Sequence, residues 1–169
     1  MKLPLLLLTV SIACLALAEE TKDAPAPTTD RVGFPAGYQQ SFQVLRTVKH
    51  EKEGKVVTVY GNAAAASITN TTQLPYPYGS VIVMETALVP KDGAGKPQVS
   101  GLHVMRREKG FGAAYEANRS GEWEYTEYHA DGSYITPPAK SATCSACHIK
   151  AGKEKDFVYQ ARLGSVGTK

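Results

Sequence analysis

Cysteine is scarce in this chain: three among 169 residues, one of which, Cys14, sits in an N-terminal apolar stretch. If that stretch is cleaved, only Cys144 and Cys147 remain, and no other pair is left for a structural disulfide. Charge of one sign is also lacking. The formal net charge is +3, and loss of Lys2 with the leader leaves 18 Lys and Arg against 16 Asp and Glu, spread along the chain. That balance gives no reason to expect a nucleic-acid partner. No transmembrane segment is expected either, because spanning a bilayer needs about 20 apolar residues. The run from Leu3 to Ala13 is too short for that. With no internal repeat, the roughly 150 residues after the leader suit a single domain.

What the N-terminus does carry is a secretory pattern. Lys2 is a short basic start, Leu3 to Ala13 an apolar run, and Ala16, Leu17 and Ala18 an A-x-A cleavage site, so residues 1–18 read as a signal peptide and the protein as exported to the periplasm. Lipid anchoring through Cys14 is the competing reading, disfavoured by Ser11 three places before it. Residues 19–32, with Pro25 and Pro27 among small and charged residues, read as a flexible leader, and residues 33–169 as the domain.

Within the domain, 15 Gly, 10 Pro and 9 Tyr argue for turns and strands rather than a helical bundle. Phe42, Leu45 and Val48, spaced by three, predict a short helix within Tyr38 to Val48. Lys55 to Tyr60 alternates as a strand, and Asn62 caps a short helix over Ala63 to Ala66. After a turn built on Pro75, Pro77 and Gly79, Ser80 to Val89 is the clearest strand. Its two faces, Ile82, Met84, Thr86, Leu88 and Val81, Val83, Glu85, Ala87, are both apolar enough to be covered. A Gly-rich loop from Lys91 to Pro97 leads to strands at Val99 to Arg106 and Glu122 to His129. The predicted class is mainly β (α+β): an antiparallel sheet with a few short helices.

Against this background Cys144, Ser145, Ala146, Cys147 and His148 form the attachment signature of a c-type haem. On a helical turn, residues i and i+3 share a face, so both thiols can reach the two vinyl groups of one porphyrin while His148 falls beneath the iron. Structural zinc needs four ligands, and no second Cys or His cluster follows. A thioredoxin-like dithiol needs most of its fold after the motif, and only 22 residues follow Cys147. No Met follows His148, which sets the chain apart from small electron-transfer cytochromes with a downstream Met ligand.

Several stretches, in order from about Phe34 to Arg162, carry a wider likeness: Phe34 to Tyr38, Thr58 to Tyr60, Gly79 to Val83, Gly101 with Leu102, Gly121 to Trp123, Cys144 to His148, and Asp156 to Tyr159. With them the chain resembles the β-sheet haem family that contains cytochrome P-460 and cytochrome c-prime-beta. The resemblance implies one haem c packed by the sheet, His148 as its iron ligand, a homodimer, and a distal face open to nitric oxide or hydroxylamine. It also marks three departures. Met84 stands in the strand where hydroxylamine-oxidising members have a lysine bonded to the porphyrin, His103 stands where a pocket carboxylate follows Gly-Leu, and Val57 replaces an arginine. A thioether cannot form the amine cross-link, so that oxidase activity is not expected.

The expected function is an exported monohaem cytochrome that binds or redox-converts a small nitrogen-oxide ligand and exchanges electrons with a partner protein. In that reading Met84, Val57 and His103 tune the pocket. His103 has three readings: distal proton donor, sixth ligand, or a histidine satisfied by backbone. Met84 is read as core filling or as a ligand. The alternative is an electron carrier whose sixth position is closed by His103, Met84 or Met105. A third reading is a haem-stabilised structural domain. His50 and His129 read as surface groups, Asp156 as an anchor after the haem helix. The orientations of Glu85, Glu116, Tyr78 and Tyr125 are not set by sequence.

Overall fold

Six strands in sequence order form one antiparallel sheet in the computed structural model, which describes residues 24–92 and 94–159. Residues 1–23, which include the expected signal peptide and Cys14, residue 93 and residues 160–169 lie outside the described residues. The strands are β1 (Gln43–His50), β2 (Lys55–Gly61), β3 (Val81–Leu88), β4 (Gln98–Arg107), β5 (Trp123–Tyr128) and β6 (Tyr134–Thr136). Among the described residues three short α-helices accompany them, α1 (Tyr38–Ser41), α2 (Ala63–Ala66) and α3 (Ala142–Ile149), with several short 3-10 turns along the chain. The mainly β expectation therefore holds, as does the helix cap, since the Asn62 side chain accepts a hydrogen bond from the Ala65 amide at 3.0 Å.

The helix expected over Tyr38 to Val48 is only one turn long, and β1 takes its second half. A register shift between Val44 and Arg46 explains the misleading spacing. Leu45 is the extra residue at that bulge, and the insertion changes which face follows, so Leu45 and Val48 reach the same side of the sheet although they are three apart. Strand β6 has only three residues, too few to leave an alternating pattern.

Both faces of the sheet are covered, as β3 predicts. On one face Val83, Leu102, Val104 and Tyr128 pack with Val32 and Tyr38 from the N-terminal segment. On the other, Ile82, Met105, Trp123 and Tyr125 pack with Tyr76, Tyr115 and Val158. Cross-strand register aligns Val59, Met84, His103 and Glu127 in one row of this second face, and Ile82, Met105 and Tyr125 in the next.

Residues 24–32, the described part of the expected flexible leader, lie against the sheet. Pro27 and Val32 are buried, and Arg31 forms an ion pair with the buried Glu124. Asp30 accepts hydrogen bonds from the Gly33 amide at 2.9 Å, the Val32 amide at 3.0 Å, and the hydroxyls of Tyr128 at 2.6 Å and Tyr134 at 3.0 Å. Partners some 100 residues away are invisible to a local reading, which sees only prolines and charges.

Burial alone would raise the Asp30 carboxyl, but the bonds from Gly33, Tyr128, Tyr134 and Val32 together hold it below its ordinary value of 3.8. A folded value below the unfolded one adds stability that is present above the unfolded pKa and lost as pH falls through the folded one. Asp30→Asn is expected to lower stability by about 1 kcal/mol at pH 7, discounted for partial exposure. Urea unfolding checks this, with the gap between variant and parent closing as pH falls below about 4.

Candidate functional site

Helix α3 follows the Pro137–Pro138 break and is fixed by its serines. The buried Ser141 hydroxyl donates to the Pro138 carbonyl at 2.7 Å and lies 2.9 Å from the Tyr115 hydroxyl. The Ser145 hydroxyl, inside the C-x-x-C segment, donates to the Asn118 carbonyl at 2.6 Å and lies 2.7 Å from Ser120, which is itself 2.6 Å from the Tyr125 hydroxyl. Hydroxyls that share buried bonds in this way lock the helix onto β5. The cysteine-bearing turn therefore has one orientation over the sheet.

Cys144 is half-buried and Cys147 exposed, and both line a cavity of about 420 Å³ between α3 and the sheet. Burial pushes the Cys144 thiol up to about 11, so it stands as a neutral thiol at pH 7. His148 lines the same cavity; its Nδ1 lies 2.7 Å from the Phe157 carbonyl. Burial lowers its pKa, although the bond to Phe157 opposes the shift and proximity to His103 adds to it. A neutral imidazole donating through Nδ1 keeps its lone pair on Nε2, the form in which a histidine binds a metal. The ring packs against Tyr125 with centroids 4.6 Å apart and against Tyr159 at 5.4 Å.

The Phe157 carbonyl is itself held in place. Asp156 and Phe157 both have positive φ, and the Asp156 carboxylate accepts from the Tyr76 amide at 2.9 Å with the Arg107 Nε 3.4 Å away. Trp123, fully buried, donates its indole N–H to the Asp156 carbonyl at 2.9 Å. Gly121, at φ 66°, lets the Phe157 ring approach so closely that an added Cβ would lie 3.0 Å from it. The anchoring role expected of Asp156 thus has concrete partners.

The opposite wall is the second sheet face. Met84, half-buried, lines this cavity together with Ile82 and Met105. His103, its side chain half exposed, places its Nδ1 against the Glu127 carboxylate, which also accepts from the Thr136 hydroxyl. The hydrogen bond from His103 is the main reason the Glu127 carboxyl sits below its ordinary range; burial opposes it and Thr136 assists. The partner of His103 is thus a carboxylate rather than backbone. Val57 does not line this cavity but an adjoining one of about 410 Å³, which shares Val59, Met84 and Tyr159 with it. His50, read as a surface group, is half-buried and lines that second cavity, 3.8 Å from Glu53. Glu85 faces the other side of the sheet, where it accepts from Tyr38 and Gln39, while Tyr78 bonds to Glu122 and Glu116 is exposed. None of these three belongs to the cavity lining. The sequence gives no site role to Glu127, to Tyr159 or to the Phe157 carbonyl, although Asp156 to Tyr159 belongs to the stretches that carry the family likeness. Only the alternation of Glu127 with Tyr125 along β5 hinted at the first.

The donor set fits a haem: two thiols and a neutral imidazole on one wall, with Val59, Ile82, Met84 and Met105 supplying apolar surface opposite. Among the described residues no three of His, Cys, Asp and Glu are grouped to hold a bare metal ion, and no helix is long and apolar enough to cross a membrane.

Fold and site together suit a β-sheet haem protein whose C-x-x-C-H segment lies on helix α3. The chain matches the family described as Cytochrome P460 over residues 35–160. It belongs to that family, whose cofactor is haem c. No curated protein matches the chain.

Gly121→Ala forces both a left-handed backbone and a crowded Phe157 ring, and is expected to cost about 1–3 kcal/mol. Urea unfolding of the variant measures it.

Proposed function

We propose that the protein is an exported monohaem cytochrome of the periplasm, in which Cys144 and Cys147 hold one haem covalently, His148 ligates its iron, and a small nitrogen-oxide ligand of the nitric oxide or hydroxylamine class binds on the opposite face. The observation that carries this reading is the meeting of Cys144, Cys147 and His148 on one wall of a cavity whose other wall is sheet, apolar at Val59, Ile82, Met84 and Met105 and polar at His103, Thr126 and Glu127. Each thiol would add across one vinyl group, its hydrogen passing to the neighbouring carbon, so attachment consumes no oxidant or reductant. When bound, the haem supplies an iron that takes a small ligand and exchanges one electron.

The chain's own residues then have separate tasks. Phe157 orients His148 through Nδ1, and a carbonyl partner leaves the imidazole neutral where a carboxylate would make it more basic. Val59, Ile82 and Met84 keep water from the ligand side. His103, with Glu127 behind it, would hold or deliver a proton at its imidazole. Met84 provides no amine for a porphyrin cross-link, so the ferrous spectrum is expected to be that of an ordinary c-type cytochrome. A partner protein would exchange the electron, and the homodimer follows from the family resemblance.

The second reading, an electron carrier with a closed sixth position, draws on the pairing of Met84 with His103 across β3 and β4 and on Met105 in the next row. Titration of the ferrous protein with nitric oxide separates the two. The proposal predicts a spectral change that saturates at one equivalent per haem, whereas a spectrum unchanged at excess ligand contradicts it and favours the carrier.

A further inference from the structure

The second cavity has a composition that ligand binding at the iron does not use. Its floor is apolar, formed by Val48, Val57, Val59 and Met84, and continues into the cavity beside Cys144. Its rim is basic: Arg46 and His50 come from β1, Lys150 from the residue after α3, and Lys155 from the turn beyond it. Tyr159 is the remaining ionisable lining residue, and no Asp or Glu lines this cavity. Glu53 lies nearby, beside His50 at 3.8 Å and paired with Lys55. The cavity holding the thiols has the opposite arrangement, with Glu127 on its wall and no Lys or Arg.

A porphyrin bound through its vinyl groups has an edge with the same polarity. Its two propionates lie on the side away from the thioethers, and each carries a carboxylate that is costly to bury without a cation or donor. From β5, which carries Glu127, to β1, which carries Arg46 and His50, the sheet crosses four strand spacings, roughly 19 Å. The two cavities together thus form one slot, with Glu127 toward one end, Arg46 and His50 at the other, Lys150 and Lys155 on the rim of the second cavity, and Met84 and Val59 in the shared floor.

We propose that the cavity rimmed by Arg46, His50, Lys150 and Lys155 receives the haem propionates, which fixes how the porphyrin lies across the sheet. The inference rests on the haem attachment proposed above and deepens it. Lysine and arginine neutralise the propionates in different ways: Lys150 and Lys155 act as mobile point charges from the C-terminal segment, and Arg46 offers a planar fork from the sheet. Cations there also favour the reduced haem, which carries one more negative charge than the oxidised form.

The test uses the holoprotein with Lys150→Gln and Lys155→Gln combined, the charge-preserving Lys150→Arg and Lys155→Arg pair, and, as control, Lys96→Gln in the β3–β4 loop, a residue that lines neither cavity. Haem staining on denaturing gels reports attachment, resonance Raman the propionate bending band, and redox titration the potential. The proposal predicts that attachment stays intact while the Gln pair shifts the propionate band and lowers the potential, and that the Arg pair and Lys96→Gln leave both near the parent. An unmoved band and potential in the Gln pair overturn it. Binding of inorganic phosphate to the parent holoprotein that disappears in the Gln pair also overturns it, because the cavity would then be a free anion subsite. Absence of haem stain in the parent defeats the attachment itself, and with it this inference.

Discussion

The bond between His148 and the Phe157 carbonyl is the constraint on which the rest of the site depends. It fixes the tautomer, and so determines which nitrogen of the imidazole can meet a metal. The carbonyl cannot move freely, because Asp156 is tied to Trp123, Tyr76 and Arg107, and Gly121 leaves room for the Phe157 ring and for nothing larger. A loop of unusual backbone conformation is thus held by one of the most buried aromatic side chains in the sheet. Local strain of this kind persists only where surrounding contacts over-determine it, and here they do.

The serine and tyrosine hydroxyls provide the second half of that rigidity. Ser141 and Ser145 secure α3 from beneath, and Tyr125 joins the same network while its ring packs on His148. The motif supplies reactive atoms, whereas the network sets their position. The sheet supplies the opposite wall and, through the basic residues of β1 and the C-terminal segment, a charge gradient along the slot.

Much of this was legible in the sequence because the strong signals are local. The alternation in β3 predicts its two covered faces, Asn62 predicts a cap, and Cys144 to His148 predicts a cofactor. The elements that escaped are those whose cause is non-local. The bulge in β1 imitates a helical spacing, and residues 30–32 are ordered by Tyr128, Tyr134 and Glu124 far along the chain. Glu127 becomes the partner of His103 only through the register of β4 with β5. The family likeness points Val57 and Met84 to one pocket, yet register and strand order put Val57 in the neighbouring cavity and leave Met84 at the junction.

The central claim is that Cys144 and Cys147 carry one haem. Intact-mass measurement of the purified protein after denaturation and thiol alkylation tests it most directly. The account predicts a chain heavier by one haem, with neither Cys144 nor Cys147 alkylated. A chain heavier than the polypeptide only by the alkyl groups on Cys144 and Cys147 would contradict it.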